Sequence, residues 1–315
     1  AEATGLAPAD IEAFLSLWVR REKVVTLWSQ GINQSSSGAD KGNAIINCHL
    51  ATGRIGRPGM GPFSMTGQPN AMGGREVGGL ANMLAAHLDL EVPEHREAVQ
   101  SFWGAPAMAE RPGLKAVDLF RACADGKIKA LWIMSTNPVV SMPDADAVRD
   151  AIRAVPFVAV SEVIASTDTG NEADVLFPAA AWGEKTGTVT NSERRITRQR
   201  AFLPPPGQAR PDWKIVCDVA ARMGFADAFG FESAADVFRE HAALSCLAGE
   251  LGRDFDISAK ADVTDEAFDA MAPFQWPATR HGGKARFFAD GRFYTPSGRA
   301  RFVAVAPRAP ASRLS

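Results

Sequence analysis

The feature that most constrains the fold is a change of pattern near residue 128. From there, short apolar runs alternate with a helical segment. Residues 128–134 and 157–160 are apolar almost throughout, residues 175–177 form a third run, and residues 145–155 carry apolar side chains at helical spacing. A strand that is apolar on both faces must be covered on both, which is the condition of a parallel sheet flanked by helices. This predicts an α/β fold, a doubly wound, mostly parallel sheet with flanking helices. Each predicted strand ends in polar residues: Ser135-Thr136-Asn137-Pro138 after the first, Ser161-Glu162 after the second, and Trp182 with Glu184-Lys185 beyond the third. Ligands of open α/β sheets bind outside the carboxyl ends of the strands, so a nucleotide crossing this edge would meet all three clusters. Polar loops without a ligand are the alternative reading of each cluster taken singly.

Residues 30–79 are the second unusual stretch, holding 12 of the 28 glycines of this 315-residue chain. Glycine is costly to order, and such density marks positive φ or a close approach of backbone to something else. The polar members are mostly neutral donors and acceptors, suited to a large polar ligand, with Arg75 the exception. No G-x-x-x-x-G-K-[ST] run is present, and Pro62-Phe63 replaces the helix that should follow a dinucleotide fingerprint at Gly59-Met60-Gly61. Residues 75–88 read as a helix with Arg75 in its first turn, where a cation opposes the helix dipole and an anion contact is the more natural role. A structural loop without ligand remains the competing reading of the glycines.

The runs Gly31-Ile32-Asn33-Gln34, His49-Leu50-Ala51-Thr52-Gly53-Arg54-Ile55-Gly56, Pro62-Phe63-Ser64-Met65-Thr66-Gly67-Gln68-Pro69-Asn70 and Ala71-Met72-Gly73-Gly74-Arg75-Glu76-Val77-Gly78 resemble the catalytic subunit of molybdenum nitrate reductases, most of all the assimilatory type, and the resemblance continues past residue 200. It implies the central domains of a molybdopterin oxidoreductase, truncated, carrying molybdenum on a bis-molybdopterin guanine dinucleotide and reducing nitrate to nitrite by oxygen-atom transfer. By the same resemblance Gln30 and Gln34 match loop contacts to the cofactor, Asn137 the first strand-end contact, Ser161 and Glu162 the second, Lys185 the third, and Asp212 a further polar contact. Many members carry Met where this chain has Gln30. Carboxylates can accept from a guanine edge, Lys185 can meet a diphosphate, and amides can satisfy a pterin. Arg75 matches an arginine near the metal where the oxyanion approaches, and a guanidinium fork suits planar nitrate. Another molybdopterin oxidoreductase such as a formate dehydrogenase, or a non-catalytic nucleotide-binding α/β module, are the alternatives.

The resemblance also implies a four-iron four-sulfur cluster and the molybdenum ligand in a preceding region absent here. The chain is then an internal or C-terminal piece, inactive alone, that works with nitrate and an electron-donor protein or reductase subunit. Its own cysteines, Cys48, Cys123, Cys217 and Cys246, form no C-x-x-C run. Reduced thiols, and no apolar run of membrane-spanning length, point to the cytoplasm and to no membrane partner. A net charge of −2 implies no nucleic-acid partner, and the eight Lys or Arg between residues 280 and 313 read as a solvated face or one meeting another segment.

Elsewhere, Asp10 is expected to cap an amphipathic helix bearing Ile11, Phe14, Leu15, Trp18 and Val19, and residues 24–28 a short buried strand. Further helices are expected at 41–50, 114–123, 213–223 (capped by Asp212), 234–247 and 264–271, a polar turn at 191–195, and two strands around Pro296-Ser297-Gly298 within 287–305. His49 and His87 read as packed or surface residues. The expected organisation is a cofactor-binding α/β region over 1–200, a helical segment over 201–285 and the start of a connection to a C-terminal domain over 286–315.

Overall fold

A computed structural model describes residues 4–308. The chain divides into two compact units, residues 1–71 with 284–315, and residues 72–283.

In the first unit, helix α1 (Pro8–Arg20) leads to strand β1 (Val25–Trp28), a short helix α2 (Gln30–Asn33), helix α3 (Gly38–Ala51) and strand β2 (Gly61–Ser64), which pairs with β1 in parallel. Ala7, not Asp10, stands at the start of α1, followed by Pro8; Asp10 is a first-turn acid without a side-chain cap. Proline needs no N–H partner at a helix start, so it sets the boundary ahead of the acid. The β1 strand is not buried, with Val25 54% and Leu27 55% exposed, because β2 is its sole ladder partner among the described residues and its outer face is uncovered. His49 of α3 is fully buried; its Nε2 meets Thr26 Oγ1 at 2.8 Å and its ring packs edge-on to Trp18. Arg54, 3% exposed, donates to the carbonyls of Trp18, Arg21 and Glu22 and so closes the end of α1. Both are packing residues.

Residues 287–305 form no strand ladder among the described residues. The turn is present, with Phe293 N donating to Gly298 O (2.9 Å), but Phe288 has φ +61° and stacks on Phe293 at 4.9 Å. The aromatic pattern encodes a cluster of rings, not an extended pair.

Helix α4 (Ala71–Glu76) starts at the last residue of the first segment and lies otherwise in the second unit, which continues through α5 (Pro93–Trp103) and α6 (Ala116–Ala124) into the alternating segment: β3 (Leu131–Met134), α7 (Pro138–Ser141), α8 (Ala145–Arg153), β4 (Val158–Glu162) and β5 (Val175–Pro178). The three strands are parallel in the order β3-β4-β5, as the apolar runs predict. The first four residues of the central strand β4 are buried. Phe120 and Cys123 of α6 and Val148, Ala151 and Ile152 of α8 pack on Leu131, Ile133, Val158 and Val160, one face of the sheet. Trp132 and Phe177 pack on the other, ring centres 5.7 Å apart. An antiparallel sheet follows, β6 (Gly187–Thr190), β7 (Arg195–Gln199) and β8 (Phe274–Gln275), the polar turn falling between β6 and β7. Helices α9 (Asp212–Ala220), α10 (Ala234–Glu250) and α11 (Asp265–Asp269) complete the unit. Among the described residues no helix is long and apolar enough to cross a membrane.

Two expectations change here. Residues 75–88 are not one helix: α4 stops at Glu76, and Gly78 turns with φ +77° so closely that a Cβ would lie 2.7 Å from Ala85 N and Leu84 C. Only glycine fits there, which makes Gly78 a terminator and leaves Arg75 in the last turn of a short helix. A cation at that end is favoured by the dipole, so the electrostatic argument drawn from a first-turn position falls away. Asp212 is likewise not a cap; Pro211 precedes α9, and no side-chain cap is made.

Candidate functional site

The parallel register brings the polar strand ends to one edge. The last rungs pair Met134 with Ser161 and Ser161 with Phe177, and Glu162 lies opposite Pro178. Asn137 leaves β3 on the same edge, and Thr169, from the loop after β4, folds back on it. Asn137 Oδ1 accepts from Thr169 Oγ1 (2.6 Å) and from Thr169 N (3.2 Å). Ser161 is 2% exposed, and its hydroxyl accepts from the Trp132 indole at 2.9 Å. Glu162 Oε1 accepts from the backbone N–H of Val163.

Lys185 and Asp212 meet: Lys185 Nζ lies 2.5 Å from Asp212 Oδ2, each side chain a little over a quarter exposed. The two residues singled out separately for a diphosphate and a guanine edge therefore form one ion pair. A ligand at this point competes with or extends that pair. In the first unit, Gln30 begins α2 beyond β1, its Nε2 donating to Gln68 Oε1 (2.9 Å), and Gln34 ends α2, exposed. Asn33 joins them, accepting from Trp28 Nε1 (3.0 Å) and donating to Ser64 Oγ (3.1 Å). Asn33, Ser64 and Gln68 lay within the glycine-rich stretch without being singled out. Their sign in sequence was only that neutral polar residues follow a strand.

Arg75 is exposed, and its guanidinium has no protein partner among the described residues. The next residue behaves oppositely. Glu76 is 3% exposed, with Thr190 Oγ1 of β6 donating to Oε2 and Trp276 Nε1 donating to Oε1, each at 2.7 Å. Burial outweighs these two hydrogen bonds and pushes its carboxyl up to about 7. The end of α4 is thereby tied to the β-sheet and to Trp276 while Arg75 is left free.

Beyond Gly78, Ala86 and His87 both take the left-handed conformation, at φ 57° and 60°. Such strain in non-glycine residues gathers where a site needs a particular backbone. The His87 ring packs on Phe255 and Trp276, and His241 stacks on the same Phe255 at 5.1 Å. Burial first, then Arg253 and Arg75, hold His87 below its ordinary range, with Asp254 opposing. His241, more deeply buried and beside His87, falls to about 4. The field of Arg75 therefore reaches the turn at 84–88.

The groups along this edge offer both donors and acceptors, with Lys185 and Asp212 already paired to each other. Asn137 has an amide NH2 to give, Lys185 an ammonium, Glu162 and Asp212 carboxylate oxygens to receive base N–H groups. An open α/β sheet with polar strand ends along one edge is the kind of fold that takes its ligand there. Residues 12–222 match the profile of the family described as molybdopterin oxidoreductase. The chain belongs to that family. It is 52% identical over 308 residues to a nitrate reductase of Klebsiella oxytoca, covering 98% of this chain and 35% of the relative. It is 48% identical to a nitrate reductase of Shewanella frigidimarina over 97% of this chain and 33% of the relative. Against the assimilatory nitrate reductase catalytic subunit of Bacillus subtilis it is 32% identical, over 98% of this chain and 42% of the relative. The chain thus spans between 33% and 42% of the length of these relatives.

Proposed function

We propose that this chain is part of the catalytic subunit of a nitrate reductase of the assimilatory type, holding one guanine dinucleotide of a bis-molybdopterin guanine dinucleotide cofactor. The observation that carries the reading is 52% identity to a nitrate reductase across 98% of the chain. The common edge of β3, β4 and β5, with Asn137, Glu162, Lys185 and Asp212 on or beyond it, supports the dinucleotide; Ser161, buried and holding the Trp132 indole, is assigned to it on the resemblance alone. Gln30 and Gln34 are assigned to the cofactor on the resemblance, and Arg75 to nitrate. The molybdenum cofactor, when bound, supplies a metal that accepts oxygen from nitrate. The chain's part is to hold the dinucleotide by donors and acceptors, and to present a guanidinium fork to a planar anion. The division into a cofactor-binding region at 1–200, a helical segment at 201–285 and a connection from 286 belongs to the same proposal. So do a cytoplasmic setting, an iron–sulfur cluster elsewhere in the enzyme and an electron-donor partner.

The test is elemental and nucleotide analysis of the purified full-length enzyme, with nitrate and formate assayed side by side. Molybdenum, two guanine nucleotides per metal and nitrite formed from nitrate with a reduced viologen dye are expected. Formate oxidation without nitrate reduction would assign the chain to another branch of the family, and absence of molybdenum and guanine would leave a non-catalytic module.

A narrower prediction concerns the ion pair. Lys185→Ala in the full-length enzyme is expected to weaken dinucleotide retention by about 1.5–3 kcal/mol, the worth of one charge-assisted hydrogen bond. Cofactor released under mild denaturant reads it, and release unchanged from wild type would remove Lys185 from the contact set.

A further inference from the structure

Thr169 is completely buried, yet its hydroxyl is fully employed at the strand-end edge. Val139 N, which can only donate, donates to Thr169 Oγ1 at 3.1 Å. The hydroxyl proton is then free for Asn137, and Thr169 Oγ1 lies 2.6 Å from Asn137 Oδ1. The backbone N–H of Thr169 points to the same oxygen at 3.2 Å. Because a backbone N–H has no acceptor character, the amide atom facing it must be the carbonyl oxygen, which settles the orientation of an amide whose two ends are otherwise alike. With Oδ1 taking two hydrogen bonds, the NH2 is the end left without a protein acceptor among the described residues.

We infer that Thr169 is a positioning residue that locks the Asn137 amide with its NH2 toward the ligand edge, so that position 137 recognises an acceptor oxygen of the dinucleotide and not one of its N–H groups. The inference rests on the reading of this edge as the dinucleotide site. Its chemistry is a relay, Val139 N–H to Thr169 hydroxyl to Asn137 carbonyl, in which each bond polarises the next and strengthens the donor at the end. Glu162 and Asp212, whose carboxylates accept only, are left to take the N–H groups of the base.

The experiment uses the full-length holoenzyme and follows release of guanine nucleotide per polypeptide during dialysis, well below each variant's unfolding midpoint. Asn137→Ala and Thr169→Val are each expected to release it about tenfold faster, as loss of one hydrogen bond near 1.4 kcal/mol implies. Thr169→Ser, which keeps the hydroxyl, is expected to stay within about twofold of wild type. The double variant Asn137→Ala with Thr169→Val is expected to release no faster than Asn137→Ala, since residues acting through one contact are not additive. Asn137→Asp keeps the shape and the acceptor toward Thr169 but has no donor, and is expected to release at least as fast as Asn137→Ala. Additive single effects, wild-type release in Thr169→Val, or wild-type release in Asn137→Asp would overturn the inference while leaving the site in place. Wild-type release in Asn137→Ala would instead remove the dinucleotide from this edge. Should Thr169→Val fail to fold, Asn137→Asp and Thr169→Ser decide the matter.

Discussion

Replacing Arg75 by Ala in the full-length enzyme is expected to lower nitrate turnover per bound molybdenum by about 10²–10³, or about 2.7–4 kcal/mol of transition-state stabilisation. As oxygen leaves nitrate, charge redistributes over the departing nitrite, and a fixed cation facing it stabilises that arrangement more than the ground state. The Arg75 guanidinium is exposed and has no protein partner among the described residues, so its five donors are not spent on the fold. Its backbone is held close by, because the side chain of Glu76 is anchored to Thr190 and Trp276. A structural explanation is also available, since Arg75 stands in the last turn of α4 and there interacts favourably with the helix dipole. Magnitude separates the two. A dipole contact at an exposed position contributes about 0.3–1 kcal/mol, and it would change folding stability without touching turnover per loaded active site. Arg75→Lys, which keeps the charge and loses the bidentate fork, is expected to fall between wild type and Arg75→Ala. Retention of more than about a tenth of wild-type turnover by Arg75→Ala, or a loss that merely tracks lost molybdenum, would return Arg75 to the cofactor contacts or to the helix end.

What could be read from sequence was whatever depends on neighbours in the chain. The parallel sheet was legible because residues 131–134 and 158–160 are apolar on both faces, the pattern of a strand covered on both sides. Its polar strand ends were legible for the same reason, the run of apolar residues stopping at Ser135 and Ser161. The helix expected over 75–88 failed because Val77, Leu80, Ala81, Leu84 and Leu88 do fall at helical spacing, while Gly78 follows a positive φ that spacing does not encode. Thr169 was invisible, since the residue it orients lies 32 positions away. Glu76 was quoted within a motif but its burial was not foreseen, its two partners being 114 and 200 residues distant. A carboxylate inside an interior is set by tertiary partners alone. A glutamate directly ahead of Val77-Gly78-Gly79 gives no periodic signal of being inward.

That burial has a thermodynamic consequence of its own. Glu76 has an ordinary value of 4.5, raised to about 7 in the fold chiefly by burial, with the hydrogen bonds from Thr190 and Trp276 opposing. A carboxyl whose value is raised on folding holds its proton more tightly in the native state. Its contribution is therefore fully present below pH 4.5 and is lost as pH rises through about 7. At 1.36 kcal/mol per pH unit, the loss across that window is about 3 kcal/mol, a large part of what a domain of this size has in hand. His87 and His241 act in the other direction. Burial lowers both, so what they contribute is present above their ordinary value of 6.5 and is lost as pH falls below it. The overall pH profile of the chain mixes the two, and only a difference between proteins isolates Glu76. Glu76→Gln keeps an oxygen to accept from Trp276 and an amide that can donate to Thr190, and it cannot ionise. Urea unfolding of both proteins at pH 5 and pH 8 is expected to show near-equal stability at pH 5 and the Gln variant more stable by about 2–3 kcal/mol at pH 8. Equal pH dependence in the two proteins would mean that Glu76 ionises at its ordinary value. The interior around Thr190 and Trp276 would then have to open to water at the end of α4, which would also loosen the segment that carries Arg75.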